Sequence, residues 1–298
     1  MRCGAMSHYV EERQLGLNCQ PKKSLSVGIV TYKSSKEVLA DTLEALARAV
    51  QYAQEGGFIG KVNFFFVDNG PGTQLAPLLE AMTQENKLSG DIASYRIISG
   101  QGNVGFGRGH NLVLAESRSD FHLILNPDVC MDEMALAHSV NFLVEHDDVV
   151  MVSPQAVWPN GRRQYLCKRY PSVFDLMIRG FAPDAIRELF DERLSRYEMR
   201  DVCDRDEPAV GIPIASGCFM LAKRDALEQV GGFADEFFLY FEDFDLSLRL
   251  REVGAIAYLP AVRIVHAGGH TARKGFAHVA MFCASALTFY RRHGWKFF

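Results

Sequence analysis

Apolar positions along the chain fall into short β-favouring runs that alternate with stretches of helical spacing. Ser26-Val27-Gly28-Ile29-Val30-Thr31-Tyr32 reads as a first strand ending in polar residues. Val38, Leu39, Thr42, Leu43, Leu46 and Val50 then predict a helix over 37–52. A strand over 62–67 closes on Asp68-Asn69-Gly70-Pro71-Gly72, a dense turn signal. A helix over 75–84, a strand over 95–98, a glycine-rich stretch from Gly100 to Gly109 and a helix over 110–117 follow. The run Phe121-His122-Leu123-Ile124-Leu125 predicts a buried strand. It stops at Asn126-Pro127-Asp128, because Pro127 has no N–H to continue a ladder. This alternation predicts an α/β fold with a mainly parallel central sheet and helices on both faces.

The second half is less regular. Asp128 is followed by a helical pattern over 131–145. Between Pro154 and Pro213 the composition shifts: Arg162, Arg163, Lys168 and Arg169 surround Tyr165 and Tyr170, and a charged, helix-prone stretch covers 184–206. Such a segment predicts a solvated surface insertion, with a flap over a site as its functional counterpart. A strand over 214–222 would hold Ser216 and Gly217 close to that site. Further strands are predicted over 255–259 and from Arg263, and a helix over 276–290 precedes the basic, aromatic tail 291–298.

Composition narrows the function classes. The 298 residues are 48% hydrophobic and 23% charged, enough for a large core. A net charge of −4 with mixed signs gives no footprint for nucleic acid. Seven cysteines without a C-x-x-C pair predict reduced thiols in a cytoplasmic protein. Residues 1–20 contain no apolar signal core, and no run reaches the roughly 20 apolar residues of a bilayer span. The expectation is a cytoplasmic protein that at most clings to the inner face of the cell membrane, where the tail suits the interface.

Three stretches carry candidate chemistry. Asp128 stands where a strand ends, the place at which open α/β sheets bind ligands, so its carboxylate could meet a metal or a phosphate. The triplet alone favours a plainer role, capping the next helix. Glu242 and Asp243 follow Phe237, Phe238, Tyr240 and Phe241 at the start of a helical pattern. The helix dipole accounts for acids there; the aromatic run predicts a desolvated carboxylate able to act as a general base. His266 precedes Gly268, Gly269, His270, Thr271, Arg273 and Lys274, a set able to wrap a diphosphate and its metal.

In order and spacing, these stretches resemble the inverting GT-A glycosyltransferases of family 2, in particular the rhamnosyltransferase-like branch that builds bacterial surface polysaccharides such as O-antigen. The resemblance covers roughly 26–270. It rests on Val30-Thr31-Tyr32, Val67-Asp68-Asn69-Gly70, Asn103-Val104-Gly105-Phe106-Gly107 with Asn111, Leu125-Asn126-Pro127-Asp128, Ser216-Gly217, the run from Gly231-Gly232-Phe233 to Asp245, and His266 with Gly269 and Thr271. Asn-Pro-Asp replaces the more general Asp-x-Asp, and Thr271 stands where serine is more usual.

The resemblance implies a leader over 1–24, one transferase domain over 25–275 and a C-terminal helix and tail over 276–298. The nucleotide-sugar half would span about 25–130, the acceptor half about 131–275. Thr31, Tyr32, Asp68, Asn103, Gly105, Asn126, Asp128, Ser216 and Gly217 would meet the nucleoside-diphosphate sugar. Asp128 and His266 would hold Mg2+ or Mn2+. Asp243 would be the base, with Glu242 its competitor. The implied donor is dTDP-L-rhamnose or a UDP-sugar, and the implied acceptor a glycan or lipid-linked saccharide.

Two other readings compete. Gly100-Gln101-Gly102-Asn103-Val104-Gly105, with Asp120 further on, meets the formal fingerprint of an NAD-dependent Rossmann oxidoreductase. It occupies the third strand–helix turn rather than the first, and its acid precedes a strand instead of ending one. A non-catalytic sugar-nucleotide or polysaccharide-binding module would need neither the metal-type nor the base-type carboxylates.

Overall fold

The computed structural model describes residues 22–70, 75–84, 92–268 and 275–298. β1 (Lys23–Thr31), α1 (Lys36–Glu55), β2 (Ile59–Asp68), α2 (Leu75–Gln84), β3 (Ile92–Ile98), α3 (Phe106–Glu116) and β4 (Phe121–Leu125) follow the predicted alternation. β1 is buried on both faces because its side chains alternate between two cores. Leu25, Val27 and Ile29 join Leu39, Leu43, Leu46 and Val50 of α1, while Val30 joins Val113 of α3 on the other side. Residues 1–21 of the expected leader lie outside the described residues, and Lys23 and Ser24 already belong to β1.

The second half comprises β5 (Val129–Met131), α4 (Ala135–Glu145), β6 (Val149–Val157), β7 (Arg163–Gln164), β8 (Cys167–Lys168), α5 (Val173–Phe181), α6 (Asp184–Leu189), α7 (Asp191–Tyr197) and α8 (Arg200–Cys203). β9 (Ala209–Val210), β10 (Ile214–Ala215), β11 (Phe219–Lys223), α9 (Arg224–Gln229), α10 (Glu242–Leu250), β12 (Ala255–His266) and α11 (Phe276–His293) complete it. The main sheet runs β3-β2-β1-β4-β11-β6-β12-β5. β1 pairs in parallel with both β2 and β4, so strand order reverses beside it and leaves a crevice at the strands' carboxyl ends. β6 and β12 are mutually parallel, and β11 runs antiparallel to β4 and β6. Most long strands therefore point one way. α1, α2 and α4 cover one face; α3, α9 and α10 cover the other.

Several boundaries differ from expectation for identifiable reasons. The helix expected from 131 starts at Ala135, because 129–131 pair with the end of β12, with His266 opposite Val129. Asp128 therefore caps nothing; it is Asp132 Oδ1 that accepts Met134 N–H at 3.0 Å. α3 starts at Phe106 rather than His110, and two glycines lie in its first turns. A Cβ on Gly107 would stand 2.9 Å from Phe233, and one on Gly109 2.9 Å from Val30. The strand expected over 214–222 breaks at 216–218, and the two expected over 255–266 are one, its register shifting between Leu259 and Arg263 around Pro260.

Nor is 154–213 merely solvated. Leu194, Tyr197, Met199 and Cys203 are buried, as is Lys168, whose Nζ donates to Tyr165 O at 2.6 Å and lies 3.7 Å from Glu198 Oε1. Burial, reinforced by Arg179, pushes the Lys168 pKa down to about 7.

Candidate active site

The crevice begins as a shelf at the ends of β1 and β2. Thr31 and Asp68 are register partners; Thr31 Oγ1 donates to Val67 O at 3.2 Å, and Asp68 Oδ1 accepts Gly70 N–H at 2.9 Å. Asn69, buried, donates its N–H to Thr31 O and its Nδ2 to Gly105 O, each at 2.9 Å. Gln101 Nε2 donates to Asp68 O at 2.9 Å. Asn103 Oδ1 accepts Gly105 N–H at 3.1 Å. Gly105 has φ 90°, and a Cβ there would collide with Phe238 O, so the 103–107 turn requires glycine at this point. Tyr32 is half exposed, with the Lys33 ammonium 5.3 Å above its ring.

The second wall is the Asp128–His266 pair. Because His266 sits opposite Val129, its ring reaches the Asp128 carboxylate across one strand spacing: Nε2 to Oδ1 is 3.4 Å. Gln164 Oε1 stands 3.1 Å from His266 Nδ1, and Asn126 Nδ2 3.4 Å from Nε2. Gln164 as acceptor fixes the proton on Nδ1 and turns Nε2 toward Asp128. Asp128 Oδ1 is buried and, despite the 3.4 Å approach, has no hydrogen bond. A Cβ on Gly268 would collide with Asp128 Oδ2 and stand 3.3 Å from His266 Nε2, so its absence leaves space before both ligand atoms. An orphaned carboxylate oxygen, an imidazole nitrogen and open space fit a divalent cation. Among the described residues no group of three His, Cys, Asp or Glu side chains gathers at the pair. Burial opposes charge on His266, but Cys218 and Asp128 outweigh it and raise its pKa, so without a cation Nε2 carries a proton that a bound metal would displace.

Asp243 forms the third wall. Its Oδ2 accepts Gly217 N–H and its Oδ1 accepts Phe244 N–H, both at 2.9 Å. Ser247 Oγ donates to Asp243 O at 2.7 Å and accepts Ala215 N–H at 3.1 Å, fastening α10 to β10. Ser216 N–H donates to Leu166 O, and Asn126 N–H to Cys218 O at 2.9 Å, so the 216–218 break joins Asp243 to the Asp128 side. Glu242 is buried and its Oε2 has no partner. Burial, then the Asp243 charge, lifts the Glu242 pKa to about 8; burial lifts Asp243 to about 6, against three backbone N–H groups. Two backbone N–H donors on Asp243, against none on Glu242 Oε2, favour charge on Asp243 over Glu242.

The expected aromatic wall is divided: Phe238 borders Gly105, where a Cβ would stand 3.1 Å from its ring, and Phe237, Tyr240 and Phe241 pack toward α11. Phe237 and Phe241 are buried in a cluster with Phe289 and Tyr290 of α11, the Phe241 ring lying 5.2 Å from that of Phe289. Phe106 takes their place at the site: its ring and Asp243 Cβ each lie 3.2 Å from where a Gly217 Cβ would stand. Tyr240 and Phe241 both adopt left-handed backbone conformations, with φ 70° and 64°, directly before α10. α11 holds this strained turn: Ser285 Oγ donates to Leu239 O at 2.8 Å, and Tyr240 Oη lies 2.9 Å from His278 Nδ1.

Gln164 is an addition that no motif marked, whereas Asn69, Gln101 and Phe106 stood inside the quoted motifs without a role assigned to them. Gly269, His270, Thr271, Arg273 and Lys274 lie outside the described residues. Asp120, the acid of the dinucleotide fingerprint, bonds Ser24 N–H at 2.8 Å at the start of β4, the opposite end of the sheet from the crevice.

The architecture is that of the GT-A glycosyltransferases. The mannosyltransferase PcManGT from Pyrobaculum calidifontis, solved with GDP-Man and Mn2+, matches 92% of this chain and 66% of its own at TM-score 0.59 and 15% identity, which shows the fold. The chain itself belongs to glycosyl transferase family 2, whose family model matches residues 26–231. It is 38% identical over 84 residues to N-acetylglucosaminyl-diphospho-decaprenol L-rhamnosyltransferase of Mycobacterium tuberculosis, a stretch spanning 27% of either chain. Rhamnosyltransferase WbbL of Escherichia coli is 25% identical over 192 residues, 60% of this chain and 67% of WbbL.

Proposed function

We propose that this chain is an inverting glycosyltransferase moving L-rhamnose from dTDP-L-rhamnose to a hydroxyl of a lipid-linked saccharide. Family membership supports glycosyl transfer, and the names of the two relatives favour the sugar and the acceptor class. The observation that carries the reading is a pair of unlike acids joined through the 216–218 break: Asp128, beside His266 with an unsatisfied oxygen, and Asp243, oriented by two backbone N–H groups. A binding module needs no such division. In this reading the 25–130 half takes the donor and the 131–275 half the acceptor.

Thr31, Asp68 and the 103–105 turn line the nucleotide's place, with Tyr32 at its mouth. Asp128 and His266, with Asn126 beside them, would hold Mg2+ or Mn2+, which when bound neutralises charge on the departing diphosphate. Ser216 and Gly217 separate that place from the base. Asp243 accepts the acceptor hydroxyl's proton while that oxygen forms its bond to the anomeric carbon and the bond to the diphosphate oxygen breaks on the opposite face. Configuration inverts. Glu242, still protonated, leaves Asp243 as the sole charge.

Thermal unfolding with dTDP, UDP, GDP and NAD(H), each with and without Mg2+ or Mn2+, tests this. A metal-dependent rise in Tm with dTDP is expected; a rise with UDP alone would change the donor. A rise with NAD(H) alone would overturn the transferase reading.

A further inference from the structure

The chemistry above leaves the cysteines unused, yet two of them meet inside the 154–213 segment. Cys167 of β8 and Cys203 at the end of α8 are both buried, in one apolar cluster with Ala215 and Tyr258. Bonds on either side hold their chain segments together. Two residues before Cys167, Tyr165 Oη donates to Asp204 Oδ1 at 3.0 Å; two residues after it, Arg169 grips Asp201 through Nη1 and Nη2 at 3.0 and 2.8 Å. Alternate residues of an extended segment share a face, so Cys167 faces α8 between these two contacts, opposite Cys203. There the Cys203 sulfur hydrogen-bonds both the thiol and the backbone N–H of Cys167. Arg163 Nη1 and Tyr258 Oη, the latter at 3.0 Å, donate to Cys203 O and fix the end of α8. Behind Cys167, Ser153 Oγ lies 3.6 Å from its sulfur.

We propose that Cys167 and Cys203 form an oxidative modification site, a dithiol that a peroxide of near-water size converts into an intrachain disulfide. Buried thiols are ordinarily inert, because an apolar setting disfavours the thiolate. Here the Cys167 thiol donates to the Cys203 sulfur and the Lys168 ammonium stands near, which against burial hold the Cys203 pKa below the usual thiol value; the same bond, and burial, push Cys167 up. The pair divides into a nucleophile and a thiol that keeps its proton. Access runs through α8, a single turn followed by exposed Asp204, Arg205 and Asp206, the kind of short element that opens locally at little cost. The Cys203 thiolate attacks one peroxide oxygen and the O–O bond breaks. The departing hydroxide takes the proton that Cys203 released and becomes water, leaving a sulfenic acid. The Cys167 sulfur then attacks the Cys203 sulfur: the S–S bond forms, the S–O bond breaks, and the leaving hydroxide takes the Cys167 proton as a second water. Two electrons pass from the sulfurs to the peroxide. The link lies directly behind the candidate base. Cys167 is the register partner of Ala215, and Ser216 N–H donates to Leu166 O, one residue before the Gly217 N–H that holds Asp243. The disulfide would join α8 covalently to that strand and close residues 168–202, with α5, α6 and α7, into a loop. The modification itself does not rest on the transferase reading.

The test is treatment of the reduced full chain with a small molar excess of hydrogen peroxide, without nucleotide or acceptor, followed by thiol titration of the denatured protein and mass mapping of its peptides under non-reducing conditions. The chain is expected to lose two of its seven thiols, to yield a peptide cross-linked between Cys167 and Cys203, and to regain both thiols in dithiothreitol. The link should also raise Tm, because a closed loop restricts the unfolded chain. Cys167→Ser should lose the cross-link and leave Cys203 as a sulfenic acid that dimedone labels. Cys203→Ser should show neither cross-link nor label at Cys167. The wild-type peptide map decides the matter even where a variant fails to fold. Both thiols remaining free in wild type overturns the inference. So does oxidation confined to other positions, such as a link between two copies through exposed Cys283. A chain that forms the Cys167–Cys203 link and binds no nucleotide would sustain this inference while sinking the transferase reading.

Discussion

The two acid centres of the crevice differ in how far the protein satisfies them. Asp243 has both oxygens on backbone N–H groups, so its orientation is complete before any ligand arrives. Asp128 keeps a buried oxygen without a hydrogen bond, 3.4 Å from an imidazole nitrogen that is itself held from behind by Gln164. A finished acid suits proton transfer; an unfinished one suits a ligand that completes it. Asp245, two residues from Asp243, marks the closed extreme. It is fully buried, and Arg249 Nε at 2.8 Å, His293 Nε2 at 2.8 Å and Arg292 Nε at 3.1 Å use up its oxygens. That carboxylate ties α10 to the end of α11 and is free for nothing else.

Asp245→Ala should therefore have the largest effect, and on stability. It removes a fully buried carboxylate from between partly buried Arg249 and His293 and the more exposed Arg292, a loss that approaches the roughly 3–5 kcal/mol of breaking a buried ion pair. Urea unfolding measures it, and a loss under about 1 kcal/mol would remove Asp245 from the structural end of the comparison. Asp243→Asn comes next, and on turnover: kcat should fall about 10²-fold or more while nucleotide affinity stays close to wild type. Glu242→Gln should retain most activity. If the Gln variant is the dead one and the Asn variant active, the roles of the two acids are exchanged.

The shelf at the ends of β1 and β2 was legible in the sequence because its residues lie at strand ends, and strand ends follow from short apolar runs closed by turn formers. Thr31, Asp68 and Asp128 are of this kind. The sequence also marked Glu242 and Asp243, but assigned two of their aromatic neighbours wrongly: Phe237 and Phe241 pack with Phe289 across some fifty residues of sequence, a contact that no local pattern contains. The α3 start was missed because glycine argues against a helix unless a neighbour needs the room, and the neighbours, Phe233 and Val30, are remote. Gln164 was invisible for a related reason. It reaches His266 only because β7 folds back on β6, and a two-residue strand leaves almost no pattern.

Gln164 sharpens the comparison from the metal side. Gln164→Leu removes the acceptor that fixes the His266 tautomer. By the usual cost of losing such an outer partner, affinity for Mn2+ in the presence of a nucleoside diphosphate should fall about 10–100-fold. Titration of free Mn2+ by electron paramagnetic resonance reads this without turnover, and nucleotide affinity in the absence of metal should be unchanged. Unaltered Mn2+ affinity would mean that His266 does not hold the cation through Nε2.

The smallest effect is the most specific for the division between the two acids. Glu242 has an ordinary pKa of 4.5, raised in the folded protein to about 8, first by burial and then by the Asp243 charge. Between those values the unfolded chain has released a proton that the folded state keeps, so this group makes stability fall as pH rises. Glutamine has no proton to lose. The stability advantage of Glu242→Gln over wild type should therefore be least below pH 4.5, widen as pH rises toward about 8, and level off above it. Taking the difference between the two proteins cancels groups not coupled to Glu242 that titrate in this range, Lys168 among them. Urea midpoints at several pH values between 5 and 9 would trace the curve. A gap that does not change with pH would mean that Glu242 is already ionised in the folded protein, and Asp243 would then no longer be the only charge available to the acceptor hydroxyl.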